Sequence, residues 1–289
     1  MVELLICNQW VGGSTPLGGS IPRKVSMSEK KAWSKDELSA LMYDELVLRG
    51  LLENVTPPEQ ADNLVRCVFV IKRDDLFGSS YPYGLLEYSS NILDDIASKG
   101  FFIERNYAET HPEYLQVIPY CLFVRSKPEH QIFMMQRSTT GGEDRLHGAY
   151  FVGVGGHIDP IDDQDSHRSR TLIYNCAARE INEEIRIGDP SRIKGFTFGF
   201  VNDDTNNVGA VHVGIVCVFY GCDDLSPKSD ELSSGEWVGI AEAMSKDTGA
   251  QETWCKHVLP MAHRFIEMAN LFTWSTGLTS AIQEQLGVA

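Results

Sequence analysis

GVGGHIDPIDDQDSHRSRTLIYNCAAREINEEIRIG, residues 153–188, joins an apolar strand to an amphipathic helix through a glycine-rich turn. An apolar strand, 150–154, runs into a glycine-rich turn where the backbone must bend tightly or approach something closely. A polar loop follows, and 172–187 then has the spacing of an amphipathic helix. Leu172, Ile173, Cys176, Ala177, Ile181 and Ile185 make its apolar stripe. Glu180, Glu183 and Glu184 fall at i, i+3 and i+4 and share another face. Like charges so placed repel, and a hard divalent cation reconciles them, since Mg²⁺ takes one or two carboxylates together with phosphates and waters. A solvated acidic surface is the competing reading. Arg179 stands where it can pair with one carboxylate or orient it. The glycines are not a P-loop, because no Gly-Lys-Ser/Thr follows and no GxGxxG pattern leads directly into a helix.

Outward from this stretch, 117–124 and 132–136 read as strands joined by the turn KPEH. Three apolar segments follow the helix, at 193–200, 210–220 and 237–240, and the last part is helical at about 253–270 and 277–286, with Pro260 interrupting or bounding the first piece. Before residue 115 the pattern differs. A strand at 2–8 leads to a Gly/Ser/Pro loop, then a helix from about Ser34 to Leu52, a buried strand at 67–71, the turn-rich KRDDLFGSSYPYG, and a helix at 87–99 ending at Gly100. Arg73, Asp74 and Asp75, like Arg105 and Glu109, read as solvated charges. The expected organisation is an α/β region over 1–114, a mixed-sheet domain over 115–250, and C-terminal helices over 251–289 packed on it.

The chain has 289 residues, 25 basic and 40 acidic, for a net charge of −15. Such a surface repels a phosphate backbone, which argues against a nucleic acid polymer as partner. The seven cysteines are scattered with no CxxC pair, as in a reducing compartment. The N-terminus lacks a secretory pattern, and the most apolar stretch, 210–221, is too short to cross a bilayer, which takes roughly 20 residues as a helix. A cytoplasmic protein without a membrane partner is expected.

Residues 156–187 resemble the Nudix box, written GX5EX7REUXEEXGU with U a bulky aliphatic residue. Gly156 matches the opening glycine, Arg179-Glu180-Ile181 the REU, Glu183-Glu184 the paired acids and Ile187 the last aliphatic position. Asp162 stands at the first glutamate and Arg186 at the final glycine. Sixteen residues separate Asp162 from Arg179 where the family has seven, so DQDSHRSRT lengthens the loop by nine. The segments QVIPYCLFV, GEDRLHG, GVGGHID and REINEE together resemble bacterial predicted phosphoesterases of the MutT family.

The resemblance implies a Nudix-like α/β/α sandwich with a mixed sheet, and an N-terminal α/β extension or small domain. It implies a Mg²⁺-dependent hydrolase, with Mn²⁺ as the alternative ion, acting by water attack at phosphorus on a small phosphorylated substrate such as a nucleoside-diphosphate-linked compound. Glu180, Glu183, Glu184 and the Gly155 carbonyl become candidate metal ligands, and Arg179 their orienting cation. The general base is a box glutamate or Glu236, whose pairing with Trp237 resembles the family's acid-aromatic pair, with Glu231 weaker. Arg137, Arg145 and His157 are candidates for phosphate contact. His212, in the alternating VHVGIV, reads as a core or sheet-face histidine, and Trp237, Tyr120 and Phe200 as packing more readily than base-stacking aromatics. A catalytically inactive nucleotide sensor and an isopentenyl-diphosphate isomerase-like enzyme are the alternatives; for the latter, Cys121 and Cys176 do not reproduce the required cysteine pattern. A homodimer is left open.

Overall fold

The computed structural model describes residues 66–87, 92–137, 149–164, 169–228, 232–246, 248, 253–271 and 276–288. The strand expected at 2–8, the helix at 34–52, Arg145 and Glu231 lie outside the described residues. In chain order the elements are β1 (Cys67–Lys72), α1 (Arg73–Phe77), β2 (Gly84–Glu87), α2 (Ile92–Lys99), β3 (Phe101–Glu104), α3 (Arg105–Ala108), β4 (Tyr114–Arg125) and β5 (Gln131–Arg137). Then come β6 (Tyr150–Phe151), β7 (Gly153–Val154), α4 (Thr171–Glu184), β8 (Ile185–Ile187), β9 (Lys194–Asn202), β10 (His212–Tyr220), β11 (Leu225–Pro227) and β12 (Leu232–Gly239). The chain continues through α5 (Ile240–Ala243), α6 (Thr253–Val258), α7 (Ala262–Leu271) and α8 (Gly277–Gln285).

The centre of the fold is β4 beside β10, two apolar strands buried along nearly their whole length, as strands covered on both faces must be. They run parallel, from Gln116 opposite His212 to Phe123 opposite Phe219. Beyond β10 the sheet continues antiparallel through β9 to β2, and beyond the far end of β4 through β5 to β12. The near end of β4 pairs with β1, which pairs with β3. The sheet is therefore mixed. The described part of the region before residue 115 is woven into the same sheet, through β1 and β3 on one side and β2 on the other.

Neighbouring residues of β9 show the two covering layers, because side chains alternate along a strand. Thr197 faces Tyr174 of α4, while Phe198 meets Phe265 of α7 edge-on with ring centroids 4.6 Å apart. On the α4 side, α8 is tied down by the Thr276 and Thr279 hydroxyls, which donate to the Gly195 carbonyl at 2.5 and 3.2 Å. On the α7 side, Trp254 of α6 packs edge-on against Tyr120 of β4 at 5.3 Å.

Four local expectations need correction. The carboxylate helix stops at Glu184, and Ile185–Ile187 forms a strand against β11 with both isoleucines buried and Arg186 outward. Its Ile-Arg-Ile continues the apolar spacing of the helix, yet β-branched residues alternating in and out suit a strand equally well. KRDDLFG is not all loop, since Arg73–Phe77 makes a short helix closed by Gly78 at φ 65°. Nor is Arg73 solvated: it is 8% exposed and donates Nε to the Pro112 carbonyl at 3.0 Å and Nη2 to the Ala210 carbonyl at 2.6 Å. The helix expected at 87–99 begins at Ile92, with Glu87 ending β2.

Among the described residues no helix is long and apolar enough to cross a membrane, and the six described cysteines are free thiols. One buried polar group anchors α6. Asp203 accepts from His257 Nε2 at 2.8 Å and from the Thr205 amide and hydroxyl at 3.0 and 2.5 Å. Burial works against its charge, but these hydrogen bonds prevail and hold the carboxyl below its ordinary 3.8. A carboxylate so lowered stabilises the fold above the ordinary range and loses that contribution as pH falls through its folded value. Asp203→Asn should therefore cost about 2 kcal/mol at neutral pH. The difference from wild type should shrink once the pH drops below 3.8 and vanish further down, as urea unfolding midpoints measured along a pH series will show.

Candidate active site

The site is assembled where β7 leaves the sheet. β7 pairs with the middle of β4, Val154 opposite Cys121, and releases the chain as Gly155-Gly156-His157. Both glycines are required by close approach. A Cβ on Gly155 would lie 2.2 Å from the Pro119 carbonyl oxygen, and one on Gly156 would lie 2.2 Å from Glu180 Oε1. The turn thus rests on the backbone of β4 and directly on a carboxylate of α4.

Arg179 organises the carboxylates around this turn. Its Nε and Nη2 donate to the two oxygens of Asp162 at 2.9 and 2.8 Å, a bidentate pair. Nη2 also reaches the His157 carbonyl at 3.0 Å, Nη1 donates to Glu180 Oε1 at 2.6 Å, and Nη1 lies 3.6 Å from Glu183 Oε2. Burial opposes the charge of Arg179, but Asp162 and its neighbours overcome this and hold the guanidinium more firmly protonated than usual. Asp162 is 2% exposed and also closes a short turn, accepting from the Asp159 amide at 2.9 Å. The substituted first acid of the box therefore reaches Arg179 in spite of the nine-residue insertion. The extra length follows Asp162 in the chain and leaves its contact with Arg179 intact.

The three glutamates of α4 differ in setting. Glu180 is 8% exposed, and burial raises its carboxyl while Arg179 pulls it back down. Glu183 is open, with 58% of its side chain exposed. Glu184 is half-buried at the helix end, where its carbonyl accepts from the Lys228 amide at 2.7 Å. The Arg179 guanidinium serves Glu180 and Glu183 of this face together with Asp162. Hard oxygen donors of this kind suit a hard divalent cation, which needs only one or two protein carboxylates when phosphate and water complete its shell.

The remaining candidates stand elsewhere. Glu236 is exposed on β12 in register with Met134, and its charge neighbours Lys246. No hydrogen bond or ion pair among the described residues joins it to the Arg179 cluster. Arg137, at the end of β5, lies over the Phe151 ring at 4.8 Å. The aromatic candidates are packed: Tyr120 against Trp254, Phe200 stacked on Phe77 at 5.8 Å, and Trp237 between Phe133 and the Arg125 guanidinium.

His157 turns its ring to His212 of β10, Nε2 to Nε2 at 3.2 Å, rather than outward. Burial, with Arg105 and His212 nearby, pushes His157 down to about 2, and burial likewise lowers His212. Both rings are neutral at physiological pH. Glu109 completes the group, one ligand atom from each of the three lying within 4.8 Å of the others. Sequence reasoning missed His212 and Glu109 as partners of His157. The histidine of GGH was visible, but only the sheet order brings the other two beside it.

No family model matches the chain. Protein YmaB of Bacillus subtilis (strain 168) is 31% identical over 204 residues, which cover 66% of this chain and 95% of that protein. Among solved structures, Tm1382, a candidate Nudix hydrolase, is similar with a TM-score of 0.52 and 24% identity, covering 71% of this chain and 100% of that one. The Nudix domain of Shewanella oneidensis NrtR, complexed with ADP-ribose, has a TM-score of 0.36 and 13% identity over 54% of this chain and 87% of that one.

Proposed function

This chain belongs to one family with Protein YmaB of Bacillus subtilis and shares the fold of Tm1382, and we propose that it is a Nudix-type enzyme that hydrolyses a phosphoanhydride or phosphoester bond in a small phosphorylated substrate, a nucleoside-diphosphate-linked compound first among them. The observation that carries the reading is the Arg179 hub. The part-buried Arg179 guanidinium ties Asp162 to Glu180, whose carboxylate lies against Gly156, and leaves Glu183 facing solvent.

Glu180, Glu183 and Glu184, with the Gly155 carbonyl, are the residues that would hold Mg²⁺ or Mn²⁺. Such an ion supplies charge neutralisation at the diphosphate and a lowered pKa for a bound water. The protein's own part is positioning. Arg179 fixes Glu180 through a 2.6 Å hydrogen bond, and the absence of a side chain at Gly156 lets the turn lie against that carboxylate. Glu183, the most exposed of the three, is the box residue placed to accept a proton from water without losing a buried partner. Glu236 is the alternative base, and the Glu236→Gln variant separates the two.

Purified protein should release phosphate or nucleotide from at least one member of a panel of nucleoside-diphosphate-linked compounds, nucleoside triphosphates and prenyl diphosphates with Mg²⁺ or Mn²⁺. Turnover should vanish with chelator and in the Glu183→Gln/Glu184→Gln variant. Tight, metal-independent nucleotide binding without turnover would replace the hydrolase with a sensor.

A further inference from the structure

A second group of ligand-type side chains gathers at the ring of His157, whose backbone carbonyl is held by Arg179. We propose that Glu109, His157 and His212 form a binding site for one divalent transition-metal ion of the zinc class, separate from the carboxylate helix.

The geometry of the pair carries most of this. Two imidazole nitrogens bound at 2.0–2.1 Å to a tetrahedral ion lie about 3.3 Å apart, and the Nε2 atoms of His157 and His212 are 3.2 Å apart. The tautomer of His212 is set from behind, since its Nδ1 lies 2.7 Å from the Val208 carbonyl, which can only accept. Nδ1 therefore carries the proton and Nε2 presents a lone pair to His157. A ligating histidine is held in this way, with its other ring nitrogen donating to a carbonyl or carboxylate. Glu109, just after α3, brings an oxygen within 4.8 Å of a ring nitrogen of each histidine. One of its oxygens also accepts from Arg105 Nε at 3.3 Å, which leaves the other for a second partner.

An independent observation lies beside the cluster. Gln116 is 0% exposed, and neither Nε2 nor Oε1 of its side chain has a hydrogen-bond partner among the described residues. It stands in register with His212 on the adjoining strand, so the two side chains leave the sheet on one face with backbones about 5 Å apart. A buried amide without partners is costly to leave unmet, and a water or hydroxide completing the shell of an ion at this place would meet it.

Donor chemistry separates this site from the helix. Imidazole nitrogen favours Zn²⁺ and its neighbours in the first transition series, whereas carboxylate and carbonyl oxygens suit Mg²⁺. An ion here would join three distant pieces of chain: the segment after α3, the glycine turn, and the start of β10. Its role is to brace the turn, because the His157 backbone carbonyl is the one that Arg179 grips.

The test uses the full chain, stripped of metal and then titrated with Zn²⁺, and separately with Co²⁺, in the presence of excess Mg²⁺. Wild type should bind one equivalent of Zn²⁺ that excess Mg²⁺ does not displace, and Co²⁺ should give visible absorption of a nitrogen-ligated ion. His212→Gln should weaken Zn²⁺ binding by about 100-fold and Glu109→Gln by at least about 10-fold. Glu183→Gln/Glu184→Gln should bind Zn²⁺ as wild type does. Because Glu109 is exposed, its variant keeps the test decisive even where His212→Gln does not fold. Wild-type affinity in both site variants, displacement of Zn²⁺ by Mg²⁺, or loss of Zn²⁺ in the helix variant would overturn the site. A protein that keeps its Zn²⁺ but hydrolyses nothing in the panel would instead refute the hydrolase and leave the site standing.

Discussion

Arg179→Met is expected to destabilise the protein by about 3–5 kcal/mol, the cost of removing one partner from a buried ion pair. The side chain is 17% exposed, and its removal strands two carboxylates that are nearly inaccessible: Asp162 at 3% and Glu180 at 10% side-chain exposure. The His157 carbonyl would lose a donor as well. Arg179→Lys should recover only part of the loss, because an ammonium cannot form the two-pronged contact with Asp162 while also reaching Glu180. Adding Asp162→Asn to Arg179→Met should be less destabilising than the sum of the single changes, since the second substitution removes a charge the first left unpaired. Urea unfolding of the four proteins checks this. A loss under about 1 kcal/mol for Arg179→Met would mean that the hub is solvated and the burial argument fails.

The hub was partly legible in the sequence. Periodicity gave the helix, and the i, i+3, i+4 spacing of Glu180, Glu183 and Glu184 gave its acidic face. The contact between Arg179 and Asp162 could not come from spacing, because sixteen residues separate them. It was approachable only through the likeness to the Nudix box, which puts an acid at Asp162. The end of the helix was misplaced because Ile185 and Ile187 satisfy both periods over a segment of three residues. Arg73 was misjudged for a different reason: its partners are the backbone carbonyls of Pro112 and Ala210, and side-chain patterns carry no record of backbone partners. The Glu109, His157, His212 group was invisible in sequence because it depends on β1 and β10 flanking the start of β4, which strand order alone decides.

The two glycines of the turn should fail in different ways when each is given a methyl group. In Gly155→Ala the new carbon meets a backbone oxygen, that of Pro119, at 2.2 Å. Pro119 lies in the middle of β4, opposite Ile215 of the central parallel pair, so it cannot yield without disturbing the sheet. The expected outcome is a loss of stability at or above the upper end of the about 1–3 kcal/mol typical of overpacking. In Gly156→Ala the obstacle is the Glu180 carboxylate, with both oxygens and the carbon between them within 2.5 Å of the new atom. A side-chain end can move, so the fold should lose less, about 1–2 kcal/mol. Glu180 can move only by leaving Arg179, however, which takes a proposed metal ligand out of place. Misplacement by about 1 Å is enough to cost roughly 100-fold in rate, so metal-dependent turnover in Gly156→Ala should fall at least that far while the protein stays folded. A double-mutant cycle on stability checks the contact without relying on activity. In a Glu180→Ala background the three atoms nearest the methyl are gone, and Gly156→Ala should add much less destabilisation than in wild type. An equal penalty in both backgrounds would show that the turn, and not the carboxylate beneath it, is what demands glycine.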